Sequence, residues 1–105
     1  MATVIQSKQQ LAGTFSEMWL VTDTLDFANA ATGSGTFASL DITVPNVALG
    51  DIVWGISLGV DTVDAVIGGA VTAANTVTLT LLNNSAGAIN LASTTGKFIV
   101  GRPTW

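Results

Sequence analysis

The stretch TVTLTL at residues 76–81 decides the fold class of this chain. Its apolar residues alternate strictly with threonine, and all of its side chains suit a pleated surface. Such alternation is typical of a β-strand with one buried face. Val77, Leu79 and Leu81 are therefore expected to point into a core.

The segment before this strand predicts its partner. Residues 66–72 are expected to form a strand with a break at Gly68 and Gly69. The tripeptide AAN at residues 73–75 leaves room only for a tight connection between the two strands. A connection this short predicts an antiparallel pair.

A second alternating strand is predicted over residues 38–44. Leu40, Ile42 and Val44 share the face that we expect to be buried. Pro45 ends the strand because it has no N–H to donate to a neighbouring strand.

A further strand is predicted over residues 52–58, after a loop in which Gly50 can adopt a positive φ. Gly55 predicts a β-bulge or the close approach of another backbone. Alternation predicts one buried face for this strand and so places Trp54 in the core, with an interface as the alternative. That face comprises Ile52, Trp54, Ile56 and Leu58.

Extended segments towards both ends complete the pattern. Residues 18–27 are expected to form a strand with Trp19, Val21 and Leu25, or their neighbours, on the buried face. Residues 97–102 are expected to form the last strand. Turns, loops and a small-residue linker separate the strands at residues 28–35, 61–64, 83–87 and 90–96.

Short strands separated by Gly and Asn turns predict an all-β fold, an antiparallel β-sandwich of jelly-roll-like form. No significant helix is expected, beyond a single turn at residues 7–11. We expect one sandwich domain over residues 15–105. Residues 1–14 have no partner in this scheme and are predicted to be an N-terminal arm, an edge strand or an exchanged segment.

The composition is poor in charge for a soluble monomer. Charged residues make up 10% of the chain and hydrophobic residues 49%, whereas about 25% of a typical soluble domain is charged. Either partner subunits cover much of the surface, or Thr, Ser, Asn and Gly do, or the chain lies in a membrane. Asp51, Asp61 and Asp64 interrupt the candidates for a spanning helix, which needs about 20 apolar residues, so no membrane is expected. The start of the chain lacks the features of a signal peptide, which predicts a protein made in the cytoplasm.

The basic residues are too few for nucleic-acid binding. The net charge is −4, and Lys8, Lys97 and Arg102 are the only basic residues of the chain. They cannot neutralise phosphates along a nucleic acid, so no nucleic-acid partner is expected. Neither Cys nor His occurs, which removes disulfides, thiolate metal sites and the commonest general base.

The acidic residues are better explained as turn residues than as a catalytic site. Paired carboxylates can hydrolyse glycosides, but each pair here lies at predicted strand ends or turns, where Asp hydrogen-bonds its own backbone. We expect no enzyme, no catalytic residue, no cofactor and no metal ligand. A calcium ion held by these oxygen donors and a small hydrolase that depends on Asp51 stay as alternatives. The pairs are Asp23 with Asp26, Asp41 with Asp51, and Asp61 with Asp64.

Large apolar side chains that the scheme does not bury predict contacts with other subunits. Phe37 falls on the face opposite Leu40 and is expected to be exposed. Trp105 ends the chain after Pro103, where a partner surface can cover it. Trp19 fits either a core or an interface. The predicted contact surface comprises the segment of residues 3–10 with Met18, Trp19, Phe37 and Trp105.

Three blocks of sequence carry a resemblance to a known class of protein. They are LDF at residues 25–27, ITVP at residues 42–45 followed by Gly50, Asp51 and an apolar strand, and ANTVTL at residues 74–79 followed by Asn83 and Asn84. Over residues 25–102 the chain resembles small β-sandwich proteins of tailed-phage particles, which include head decoration proteins, head-fibre or spike bases and tail-associated modules. The resemblance implies a homotrimer bound to the major capsid protein or to another virion protein, with no active site.

The function expected from composition and resemblance is that of a virion structural protein. Its most direct form is a capsid decoration, or cement, protein that binds and stabilises the phage head as an oligomer. A tail or spike-base module is one alternative. A carbohydrate-binding adhesion module of the same fold class is another, with Trp19 or Trp105 as the platform on which a sugar stacks.

Overall fold

A computed structural model describes residues 2–7, 13–27, 36–62, 65–83 and 87–105. These residues form seven strands and no helix. No helix of the described residues could therefore cross a membrane. The strands are β1 (Thr3–Ser7), β2 (Phe15–Leu25), β3 (Thr36–Thr43), β4 (Ile52–Leu58), β5 (Val66–Ala73), β6 (Thr76–Asn83) and β7 (Thr94–Pro103).

The strands form two antiparallel sheets that pack face to face, which confirms the predicted β-sandwich. The four-stranded sheet has the order β1-β2-β7-β4, and the three-stranded sheet has the order β3-β6-β5. The β3–β6 ribbon lies in one sheet and the β2–β7 ribbon, which encloses it in sequence, lies in the other.

Alternating side chains from both sheets fill the core between them. Val77, Leu79 and Leu81 are fully buried, as the threonine alternation predicts. Ile42 and Val44 are buried on β3 and just beyond it, and Leu40 packs against the same core. On β2 the predicted inward positions are also buried; they are Trp19, Val21 and Leu25.

The β5–β6 hairpin confirms the predicted antiparallel pair. Asn75 occupies its turn with a φ of 63°. The predicted break at Gly68 and Gly69 is wrong, because both residues pair with β6 in continuous register. Gly69 has a packing role instead: a Cβ there would lie 2.7 Å from the side chain of Leu79.

The predicted bulge in β4 is present, but its consequence for the strand differs from the prediction. Gly55 has a φ of 66°, and the register with β7 shifts between Trp54 and Ser57. The extra residue reverses the alternation, so Ile52 and Trp54 face outward while Ile56 and Leu58 pack against the core. The prediction of a single buried face that includes Trp54 is therefore wrong.

Several boundaries also differ from the prediction. β2 begins at Phe15 rather than at residue 18, and β7 begins at Thr94 within the segment predicted to be a loop. Ser7, predicted to begin a helical turn, is the last residue of β1. The rest of that turn, the linker at residues 28–35 and parts of the turns at 61–64 and 83–87 lie outside the described residues.

Candidate interaction surface

A row of apolar side chains crosses the outer surface of the four-stranded sheet. Ile5 on β1 is paired with Leu20 on β2, Leu20 with Ile99 on β7, and Ile99 with Trp54 on β4. Residues directly opposite on neighbouring strands project to the same face of a sheet. That face is the outer one, because the neighbours of Leu20 along β2 are buried in the core. Ile5 is 58% exposed and Leu20 is 44% exposed.

Aromatic rings extend this row towards the C-terminal end of β7. The rings of Phe15 and Trp54 stack with their centroids 4.8 Å apart, and Trp105 lies tilted 5.8 Å from Phe15. Gly101 makes the stacking possible, because a Cβ there would lie 2.6 Å from the Trp54 ring and 2.8 Å from the Phe15 ring. We call the whole surface the outer apolar face; it comprises Ile5, Phe15, Met18, Leu20, Ile52, Trp54, Ile99 and Trp105.

A polar row runs beside the apolar row on the same surface, on the side away from the aromatic rings. Thr3, Thr22, Lys97 and Ser57 are paired in turn across the same four strands. A shallow depression of about 450 Å³ opens between the polar and apolar rows, beside Gly55. Lys97 is the only charged residue that lines it among the described residues.

The outer surface of the three-stranded sheet has a different character. Thr78 donates from its hydroxyl to Asp41 Oδ1 over 2.7 Å and lies 2.8 Å from the hydroxyl of Thr72. Because Thr78 has one proton to give, Thr72 is the donor to Thr78. Most outward positions of this sheet carry hydroxyls or no side chain beyond Cβ, and apolar side chains form one row at its end. That row comprises Phe37, Leu82 and Val66, which are paired across the three strands.

A charged cluster at one end of the sandwich holds the loop between β3 and β4. Arg102 Nε and Nη2 donate to the two carboxylate oxygens of Asp51 over 3.1 and 2.9 Å, and Nη1 donates to Glu17 over 3.2 Å. Nη2 also donates to the backbone oxygen of Asn46 over 2.9 Å. The guanidinium lies 5.2 Å from the centre of the Trp19 ring. The hydrogen bond to Asp51 raises the pKa of Arg102 above its usual value.

Asp51 serves as a structural anchor in this cluster. Its side chain is 4% exposed, and its Oδ2 also accepts the backbone N–H of Ala48 over 2.9 Å. These contacts fix the loop in the way expected of a turn residue. Among the described residues, no three carboxylates come together as a candidate metal site.

The predicted contact residues lie in three different environments. Met18 is half-buried on the outer apolar face, and Trp105 is 76% exposed at its end. Phe37 is 64% exposed, but on the outer surface of the other sheet. Trp19 requires a correction, because it is fully buried in the core and its indole N–H donates to the Pro45 oxygen over 3.1 Å. Neither a partner nor a sugar can stack on Trp19 in this fold, so the adhesion alternative retains only Trp105.

The contact prediction included Ile5, within the segment of residues 3–10, but omitted Leu20 and Ile99, the residues of β2 and β7 in the apolar row. The sequence carries a signal for Leu20, because residues 18–21 of β2, MWLV, are apolar at every position. In a strand whose alternate residues are buried, an unbroken apolar run means that the outer face is apolar as well. The segment of residues 3–10 is placed in part, as β1 at the edge of the sheet.

Comparison with protein-family models, with curated proteins and with solved structures finds no match to this chain.

Proposed function

We propose that this chain is a non-enzymatic structural subunit that assembles through its outer apolar face. The observation that supports this proposal is the row of Ile5, Leu20, Ile99 and Trp54 across the full width of one sheet. Contiguous apolar surface of this kind marks contact sites in soluble proteins, whereas single exposed apolar residues do not. The outer apolar face contains no charged side chain, as in the centre of a subunit interface.

The energetics favour several simultaneous contacts over a single one. Full burial of a Leu or Ile side chain is worth roughly 1.5–3 kcal/mol, and Ile5 and Leu20 have about half of their surfaces left to bury. The exposed residues of the face together therefore contribute about 5 kcal/mol. Association itself costs about 4–15 kcal/mol, so one such contact is marginal. A subunit that is held at several points, in an oligomer or on a lattice, overcomes this limit.

Within this class we propose a virion protein, most directly a capsid decoration protein. The resemblance of residues 25–102 to small β-sandwich proteins of tailed-phage particles supports this choice. In this proposal a homotrimer binds the major capsid protein of the head and stabilises it. A tail or spike-base location involves the same surface with another virion protein as the partner.

The solution mass of the purified chain, measured by light scattering, tests the proposal. We expect an oligomer, with a trimer as the specific expectation. The double variant Ile5→Ser with Leu20→Ser is expected to shift the mass to that of a monomer and to abolish co-sedimentation with capsids assembled from the major capsid protein of the same genome. The variant Phe37→Ser is the matched control. It removes an apolar side chain of similar exposure from the other sheet and leaves the outer apolar face intact.

Two results would overturn parts of the proposal. A monomeric wild-type chain that also fails to sediment with capsids would remove the assembly function. Dissociation by Phe37→Ser, with an intact oligomer in the double variant, would assign the contact to the three-stranded sheet instead.

A further inference from the structure

A groove opens at the side of the sandwich where β1 and β3 lie. Its volume is about 660 Å³. Its lining is apolar with two carboxylates, and includes Ala2, Val4, Ile42, Pro45, Asp23 and Asp41. It shares no residue with the outer apolar face, so it represents a separate surface.

The unequal number of strands in the two sheets explains the groove. β4 packs against β5, the two being edge strands of opposite sheets. If the strands are counted from that side, their order in the two sheets puts β7 opposite β6 and β2 opposite β3. β1 therefore extends beyond the three-stranded sheet, and the inward side chain of Val4 is only half-buried. The groove is the position that a fourth strand of the smaller sheet would occupy.

Along this groove, β3 forms the edge of the three-stranded sheet as the described residues show it. Of the described strands, only β6 pairs with β3. Among the described strands, none occupies the other edge of β3, so its backbone N–H and C=O groups can pair with an added strand. An extended segment that pairs there gains main-chain hydrogen bonds and places alternate side chains in the groove.

The charge of the groove selects the occupant. Asp41 lies on the outer surface of β3 and is exposed, so the outward side chains of an added strand would be its cross-strand neighbours. Asp23 adds a second carboxylate, and the described lining contains no Lys or Arg. A second copy of this chain has a net charge of −4, and Arg102 is already engaged with Asp51 and Glu17. Opposite charges across a strand pair stabilise it and like charges destabilise it, which disfavours a second copy.

We propose that the groove binds an extended, cationic segment of another protein, which adds to β3 as the fourth strand of the smaller sheet. Its inward side chains are small and apolar and pack on Val4 and Ile42. Its outward side chains are Lys or Arg and lie beside Asp41. This site supplements the outer apolar face and does not depend on it, since the two share no residue.

A labelled peptide of alternating Lys and Val, Lys-Val-Lys-Val-Lys-Val, tests the site by fluorescence anisotropy at low ionic strength. A Glu-Val peptide of the same length is the control for charge. We expect the Lys-Val peptide to bind and the Glu-Val peptide not to bind. The variant Asp41→Asn is expected to weaken binding about two- to fivefold, the range for an exposed ion pair. Asp26→Asn, which removes an equal charge outside the groove, is expected to leave binding unchanged.

Amide hydrogen exchange distinguishes strand addition from nonspecific attraction to an acidic protein. Bound Lys-Val peptide is expected to slow exchange in β3 and to leave β4, the edge strand on the other side, unchanged. Equal binding of both peptides, equal loss in both Asp variants, or unchanged exchange in β3 would each overturn the proposal. The double variant of Ile5 and Leu20 is expected to retain peptide binding, so failure of the assembly proposal leaves this test intact.

Discussion

The outer surfaces of the two sheets differ although their strands follow the same alternation. On the four-stranded sheet, the outward positions at the centre carry Ile5, Leu20, Ile99 and Trp54. On the three-stranded sheet, the outward positions of β6 from its start are Thr76, Thr78 and Thr80. The first surface is apolar and the second is covered by hydroxyls.

The low charge of the chain therefore has two separate causes, one on each sheet. On the three-stranded sheet, threonine hydroxyls replace charge while retaining the branched side chains that suit a strand. On the four-stranded sheet, hydroxyls occupy only the polar row of Thr3, Thr22 and Ser57, and the outer apolar face remains without polar cover. Part of the low overall charge is therefore explained by threonine hydroxyls. Only the remaining part indicates a contact surface.

The largest expected effect concerns the loop between β3 and β4, which runs from one sheet to the other. Arg102→Ala is expected to lower the free energy of unfolding by about 3 kcal/mol, because it leaves the Asp51 carboxylate without its charged partner at a mostly buried site. Lys97→Ala is the matched control on the same strand, with an expected change within about 0.5 kcal/mol. Urea unfolding measures both. Equal effects of the two variants would show that the cluster does not anchor the loop.

An intermediate effect distinguishes the two outer surfaces directly. Gly101→Ala is expected to destabilise the fold by about 2 kcal/mol, because the new Cβ would lie 2.6 Å from the Trp54 ring and force the stacked aromatic pair apart. Gly68→Ala on the other sheet has no atom within 4 Å of the new Cβ, and its expected change is a gain of about 0.5 kcal/mol or none. Urea unfolding is again the measurement. If Gly101→Ala left the free energy of unfolding unchanged, the stacked rings of Phe15 and Trp54 would not pack against the backbone at Gly101.

The fold class follows from the sequence where period-two alternation is uninterrupted. The threonine strand and residues 38–44 have this property, and their buried side chains are the predicted ones. The alternation fails at Gly55, because a bulge adds one residue to the strand and reverses every later side chain. A bulge can be predicted from a glycine, but the exact position of the register shift depends on the partner strand, β7.

The contact surface is harder to predict because it depends on which strands are neighbours. Nothing local in the sequence indicates that Ile5, Leu20 and Ile99 lie in one row, since they belong to three strands brought together by the topology. Trp19 illustrates the reverse case. Its ring fits both a core and an interface, and it lies in the core because Arg102 and the Pro45 oxygen provide partners for its ring and its N–H there.

The smallest expected effect tests whether the hydroxyl surface is organised or merely polar. Thr78→Val removes the group that accepts from Thr72 and donates to Asp41, and is expected to lower the free energy of unfolding by about 1 kcal/mol. Thr80→Val, two residues along the same strand, is the control; its expected change is within about 0.5 kcal/mol, because valine suits a strand as well as threonine does. Thermal and urea unfolding of both variants provide the measurement. If the two variants were equally stable, the Thr72–Thr78–Asp41 chain would contribute nothing to the fold, and the difference between the two outer surfaces would be one of composition alone.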